Sequence, residues 1–227
     1  MSGWVYNERP AGVSFLTDRI SEPGRTEIED EIWDWVVRGE DDAAEFVDFL
    51  DEDEARHGAT DEELAAAYER AVTARREQQR AWGAVESNLT RAFKELNDLG
   101  VLARENFSCC GTCASAEIHD ERDESRHWHG YLWFHQQDTE SLLASADGEV
   151  YLGYGVYPPA DFDEAAYEAL SEAERRAGYQ ADLERVLDEI AFPVLRQHGM
   201  RVEWNRKQSR RIRITGAQWY APLEHSQ

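Results

Sequence analysis

Cysteine is scarce in this chain of 227 residues: there are three, at positions 109, 110 and 113, and none elsewhere. An odd set at spacings of one and three is a poor disulfide framework, because structural disulfides join distant positions in small secreted domains. Positive charge is also in short supply. There are 24 lysines and arginines against 47 aspartates and glutamates, a formal net charge of −23. That balance repels nucleic-acid phosphates and anionic membranes, so nucleic acid is not expected as a partner, and a partner, if the chain has one, is expected to be basic. No run approaches the ~20 apolar residues of a membrane span. The opening MSGWVYNERPAGVSFL has neither the basic start nor the apolar core of a secretory leader. A soluble, reduced, cytoplasmic protein is the expectation.

Apolar residues are nonetheless plentiful, at 41% with 11% aromatic. At this length they can build a substantial core, as one domain with an extension or as two small ones. Between Glu22 and Glu54 the chain holds 15 acidic residues and two arginines. Within that run Ile28, Ile32, Trp33, Trp35, Val36 and Val37 form a helical stripe, and Phe46, Val47, Phe49 and Leu50 a second, shorter one. A small helical unit with an acidic outer face follows. Thr60 with Glu63 is a capping box that opens a helix rich in good helix formers. Run unbroken to residue 99 it would be ~60 Å long, so a break near Gly83 or Asn88 is expected. The second half presents Leu89, Ala92, Phe93, Leu96 and Leu99 to a core, and Gly100 ends it.

From residue 101 short strands alternate with helices. VLARE (101–105) reads as a strand. Ser108 is placed to cap a helix over roughly 109–119. HWHGYLWFHQ (127–136) alternates as a strand, and Asp138 is placed to cap a helix through about Ser145. EVYLGYGVY (149–157) is a third strand. Residues 158–178 read as a Pro-bounded helical insertion, and 179–199 as an amphipathic helix kinked near Pro193. MRVEWN and RRIRITGAQWY close the chain as a hairpin. The expected architecture is α+β or α/β: an acidic helical region over 1–86, then over 87–227 a sandwich of about five strands ending in a β-hairpin.

Residues 85–220 resemble an uncharacterised bacterial family, a domain of unknown function frequent in actinobacteria. The resemblance rests on ENFSCC with Cys113 and AEI (116–118), on GYLWFHQQDTE (130–140), on the Tyr-Gly of LGYG, and on VEWN with RIRI. It implies a shared fold and a shared Cys/His/Asp cluster, and no activity. The acidic helices, the HWH at 127–129 and the insertion fall outside the recognised pattern.

Alternation puts His127, His129, Tyr131, Trp133 and His135 on one strand face and Trp128, Gly130, Leu132, Phe134 and Gln136 on the other, core-facing side. Ser108–Cys113 and His135–Asp138 each follow a strand. If the two strands are parallel, both segments lie at carboxyl ends, where ligands gather in open α/β sheets. Three chemistries then compete with inert packing of small side chains. Cys110-x-x-Cys113 is zinc-compatible, with Cys109 and with His135, His127 or His129 as further ligands. CGTC at a helix start is also a candidate redox dithiol. Catalysis by a cysteine would use His135 as base and Asp138 to orient it, unless Asp138 only caps a helix. Arg206, Lys207, Arg210, Arg211 and Arg213 mark the last hairpin, either as an anion patch or as a counterweight to acidic charge. Arg211 and Arg213 alternate with Ile212 and Ile214 and should face solvent. The function these features point to is a Cys/His metal-binding or thiol-reactive site. The alternative is a non-enzymatic acidic protein of immunity or inhibitor type, its cysteines structural, binding a basic partner through 22–54.

Overall fold

A computed structural model describes residues 4–50 and 53–223. They fall into two compact units, one of residues up to 85 together with those from 220, the other Glu86–Trp219.

The first unit is helical. α1 (Gly24–Val37), α2 (Ala43–Phe49) and the short α3 (Asp53–Arg56) precede α4 (Asp61–Trp82). α4 opens on the Thr60/Glu63 capping box and stops at Gly83, whose φ of 70° suits glycine. Ile28, Ile32, Val36, Phe46, Leu64 and Tyr68 form its buried centre. Not all of the acidic run faces outward. Glu29 is 5% exposed, and its Oε1 accepts the backbone N–H groups of Phe15 and Leu16 and the Ser14 hydroxyl. It therefore pins the preceding loop to α1. Arg75 is wholly buried and donates to the carbonyls of Tyr6 and Ala221, with its guanidinium over the rings of Trp82 and Tyr220.

The second unit is a mixed sheet with helices. α5 (Asn88–Asp98), capped by Ser87, leads into β1 (Val101–Arg104). α6 (Gly111–Glu117) connects towards β2 (Gly130–Trp133), and α7 (Gln136–Ala144) towards β3 (Val150–Val156). Then come α8 (Glu164–Glu168), α9 (Glu172–Val186), a π-helical segment (Leu187–Ala191), α10 (Phe192–Gln197), β4 (Arg201–Glu203) and β5 (Ile212–Thr215). The sheet order is β1-β2-β3-β5-β4, with β1 and β2 parallel and the other pairs antiparallel. This is the expected α+β class, with five strands and a closing hairpin.

Several local expectations shift. Leu99 is exposed while Leu89, Ala92, Phe93 and Leu96 are buried. α9 runs from Glu172 without a break at residue 178, so the insertion and the following helix are partly one element. The widened π turn lies just ahead of Pro193, which has no N–H for a regular helical bond. β2 starts only at Gly130, so strand alternation does not extend back to Trp128. That side chain joins Leu102, Ala114, Ile118, Trp133 and Tyr157 in a cluster beneath α6.

The two faces of the sheet differ in chemistry. Leu132, Val150, Leu152, Ile212 and Ile214 are all buried on one face. On the other, Tyr131 pairs with Gly155 and Trp133 with Gly153. A Cβ at Gly153 would stand 2.3 Å from the Trp133 indole, and one at Gly155 2.3 Å from the Tyr131 hydroxyl. The two glycines of LGYG exist so that the aromatic side chains of β2 can lie across β3.

Candidate functional site

The site forms where the parallel pair ends. Beyond β1 and β2 the chain does not diverge but stays zipped. Phe107 N donates to Phe134 O at 2.8 Å, and Gln136 N to Ser108 O at 3.1 Å. The Thr139 hydroxyl donates to Asn106 Oδ1 at 2.7 Å. Asn106 and Ser108 both take left-handed backbone angles, with φ of 47° and 62°, which turn the chain into the cysteine cluster. Ser108 is thus a turn residue rather than the helix cap. Cys110 holds the N-cap position of α6. Glu105, just upstream, accepts hydrogen bonds from Trp219 Nε1 and the Thr90 hydroxyl. Burial raises its pKa.

Cys109, Cys110 and Cys113 are free thiols, the first exposed and the other two half-buried. Their sulfurs all lie within 4.8 Å of one another. None is sealed in the core. Their acidities are split. Cys110 makes no formal capping hydrogen bond, but the nearby N–H of Cys113, the Cys113 thiol and the N–H of Thr112 hold its pKa below the ordinary value. Cys113, beside the thiols of Cys109 and then Cys110, is pushed up to about 11.

His135 lies against this corner: its Nε2 would be 3.5 Å from a Cβ on Gly111, the first residue of α6. It is outside the set of donor atoms that cluster within 4.8 Å, which is the three sulfurs. It is also the N-cap of α7. Asp138 N donates to His135 Nδ1 at 3.2 Å, and His135 N donates to Asp138 Oδ2 at 3.1 Å. Asp138 is therefore the third helical residue, closing a capping box, and not the cap itself. With Nδ1 accepting, a neutral ring carries its proton on Nε2. That atom stands 3.2 Å from Asp138 Oδ2. Arg211 Nη1 stands 3.5 Å from the same nitrogen.

Arg211 completes the corner. It precedes β5 beside Gly153, so its side chain crosses the bare glycine and lies over Trp133, with Cζ 5.2 Å from the ring. Its guanidinium grips Asp138 with two nitrogens, one at 2.9 Å from Oδ1, and also bonds Tyr151 O. It does not face solvent as strand alternation suggested. Arg213 pairs with Glu149 and Glu203, and Arg206 with Asp188 and Glu184. The basic hairpin is largely neutralised within its own unit. The buried Nε1 of Trp133 and Nε of Arg211 have no protein acceptor.

His127 and His129 sit at the other end of the parallel pair. His129 N donates to Gly100 O, ahead of β1, while the cysteines follow β1. These rings pack against each other, centroids 5.0 Å apart, and do not complete the sulfur cluster. His119, to which sequence reasoning assigned nothing, packs against Tyr131 and Tyr157 at the far end of α6. It carried no signal in the sequence, since its neighbours come from later strands.

The model of a domain of unknown function, DUF6891, matches residues 21–222. The chain belongs to that family. The DUF6891 span includes the acidic helices α1 and α2, the HWH segment and the insertion, all of which lay outside the motifs of the resemblance. No curated protein and no solved structure matches the chain. This DUF6891 chain carries three cysteines that can hold a metal ion, and no helix among its described residues is long and apolar enough to cross a membrane.

Proposed function

We propose that Cys109, Cys110 and Cys113 form a zinc–thiolate centre with an open fourth position. The observation that carries this reading is the approach of the three sulfurs to within 4.8 Å of one another. Tetrahedral zinc with Zn–S bonds of about 2.3 Å needs sulfurs about 3.8 Å apart. Side-chain rotations of the exposed Cys109 and the half-buried pair cover that difference. The lowered pKa of Cys110 helps, because the thiolate is the ligand. His135 caps α7 through Nδ1 and lies outside the cluster of donor atoms, so in this reading the chain supplies three ligands and leaves one position for water or substrate. Three protein ligands with an open position is the pattern of reactive rather than purely structural zinc, and bound zinc there would polarise whatever occupies it. The test is titration of the reduced protein with Co2+, which reports sulfur ligation through a thiolate-to-metal charge-transfer band. Loss of the band in Cys110→Ser and in Cys113→Ser supports the centre. An unchanged band in those variants, or no band in the parent, sinks it.

The split acidities favour a second reading, a dithiol in which Cys110 attacks and Cys113 resolves. With a small-molecule disulfide as oxidant, the Cys110 thiolate would displace one thiol and form a mixed disulfide. The Cys113 sulfur would then displace the second thiol, leaving Cys110–Cys113 oxidised and the reagent reduced by two electrons. Cys109 separates the two readings: the dithiol survives Cys109→Ser, whereas the zinc centre loses a ligand.

A further inference from the structure

The insertion between β3 and α9 builds a cleft of its own, beyond the Val156 end of β3. It has a volume of about 600 Å3, within the ~300–1,000 Å3 of small-molecule sites. Its walls include Tyr157, Phe162, Tyr167, Leu170 and Tyr179. Four of these are large apolar side chains left open to solvent: Phe162 at 42%, Tyr167 and Leu170 at 40%, and Tyr179 at 39%. So much aromatic surface exposed in one concave place is a mark of binding rather than of folding.

Charge narrows the ligand. Asp161, Asp163, Glu174 and Asp182 line the same cleft, against the single cation Arg175. Asp163 caps α8, accepting Ala166 N, and Glu174 closes the capping box of α9, accepting Ser171 N, so their positions are set by the helices. Phe162 and Tyr167 lie with ring centroids 5.3 Å apart at 55°, which opens two π faces at an angle. The face of Tyr167 already draws a cation: the Arg175 guanidinium lies 5.6 Å from its centroid. Aromatic faces combined with carboxylates suit cations whose charge is spread over an apolar body.

We propose that this cleft binds a small organic cation of the quaternary-ammonium or aryl-alkylammonium class, with Tyr167, Phe162 and Tyr179 supplying π faces and Asp161 the counter-charge; Asp182 is already paired with Arg185. Arg175 then acts as an internal competitor that occupies the Tyr167 face when the cleft is empty of ligand.

The experiment follows backbone amide resonances of the full chain during titration with benzyltrimethylammonium and, in parallel, with neopentylbenzene, its uncharged carbon isostere. The expected result is shifts confined to residues 156–182, with the cation binding at least about tenfold more tightly than the isostere. Tyr167→Leu and Asp161→Asn should each weaken the cation several-fold. Both positions are exposed, so unchanged thermal unfolding will certify the fold. Arg175→Gln should strengthen binding, an effect a merely structural residue would not produce. Equal binding of the isostere, no shifts with the cation at millimolar concentration, or weaker binding in Arg175→Gln each overturns the proposal.

Discussion

Arg211 and Asp138 meet through two nitrogens and two oxygens, although they stand 73 positions apart in sequence. Asp138 is 7% exposed, and its carboxylate is held by this partner and by the His135 backbone N–H. Replacing Asp138 by Asn leaves the guanidinium without its counter-charge in a half-buried place. The expected loss of stability is about 1–3 kcal/mol, read from urea unfolding. A loss below about 0.5 kcal/mol would mean that the pair is only a surface contact.

Gly153→Ala tests the packing that carries the corner. The new methyl would sit 2.3 Å from the Trp133 indole, and both partners are framework rather than flexible ends. Overpacking of this kind costs about 1–3 kcal/mol. The near-ultraviolet circular dichroism should change with it, because the indole has to move. An unchanged spectrum and an unchanged melting temperature would contradict the contact.

His135 supplies a pH dependence. Burial is the largest cause holding its imidazole below the ordinary 6.5; Asp138 opposes that shift and Arg211 reinforces it. As pH falls through about 6.5 the unfolded chain takes up this proton before the folded chain does, so stability falls from there downward and is flat above. His135→Asn retains an N-cap side chain and removes the titration. The drop in melting temperature between about pH 7.5 and about pH 5.5 should be smaller in that variant than in the parent. Equal drops would show that the ring does not titrate differently in the fold.

The thiols should differ in reactivity. Cys110 lies below its ordinary pKa while Cys113 is raised to about 11. Alkylation by iodoacetamide near neutral pH, mapped by mass spectrometry, should therefore modify Cys110 at least about tenfold faster than Cys113. Equal rates would remove the distinction on which the dithiol reading rests.

Much of the fold was legible because it is written in local signals. The Thr60/Glu63 capping box, the stop at Gly83 and the strand at LGYG are short-range statements. So was the meeting of the two strand ends, since β1 and β2 are indeed parallel. What stayed hidden was non-local. The extent of a strand depends on its neighbours, so HWH read as strand although β2 starts at Gly130. Arg211 read as solvent-facing because alternation gives a face and not what lies across it; the bare Gly153 and the Asp138 carboxylate decide its direction. His135 read as a candidate ligand because it follows a strand beside the cysteines; the hydrogen bond from Asp138 N, which shows that it also caps α7, is not written in that placement.

The central claim is that the three thiols hold metal, and elemental analysis of protein purified under reducing conditions without chelator tests it most directly. The account predicts about one zinc per chain, lost on replacing Cys110 or Cys113 by serine and retained in His135→Asn. Zinc absent even after equimolar addition, or retained undiminished when Cys109, Cys110 and Cys113 are all serine, would contradict it.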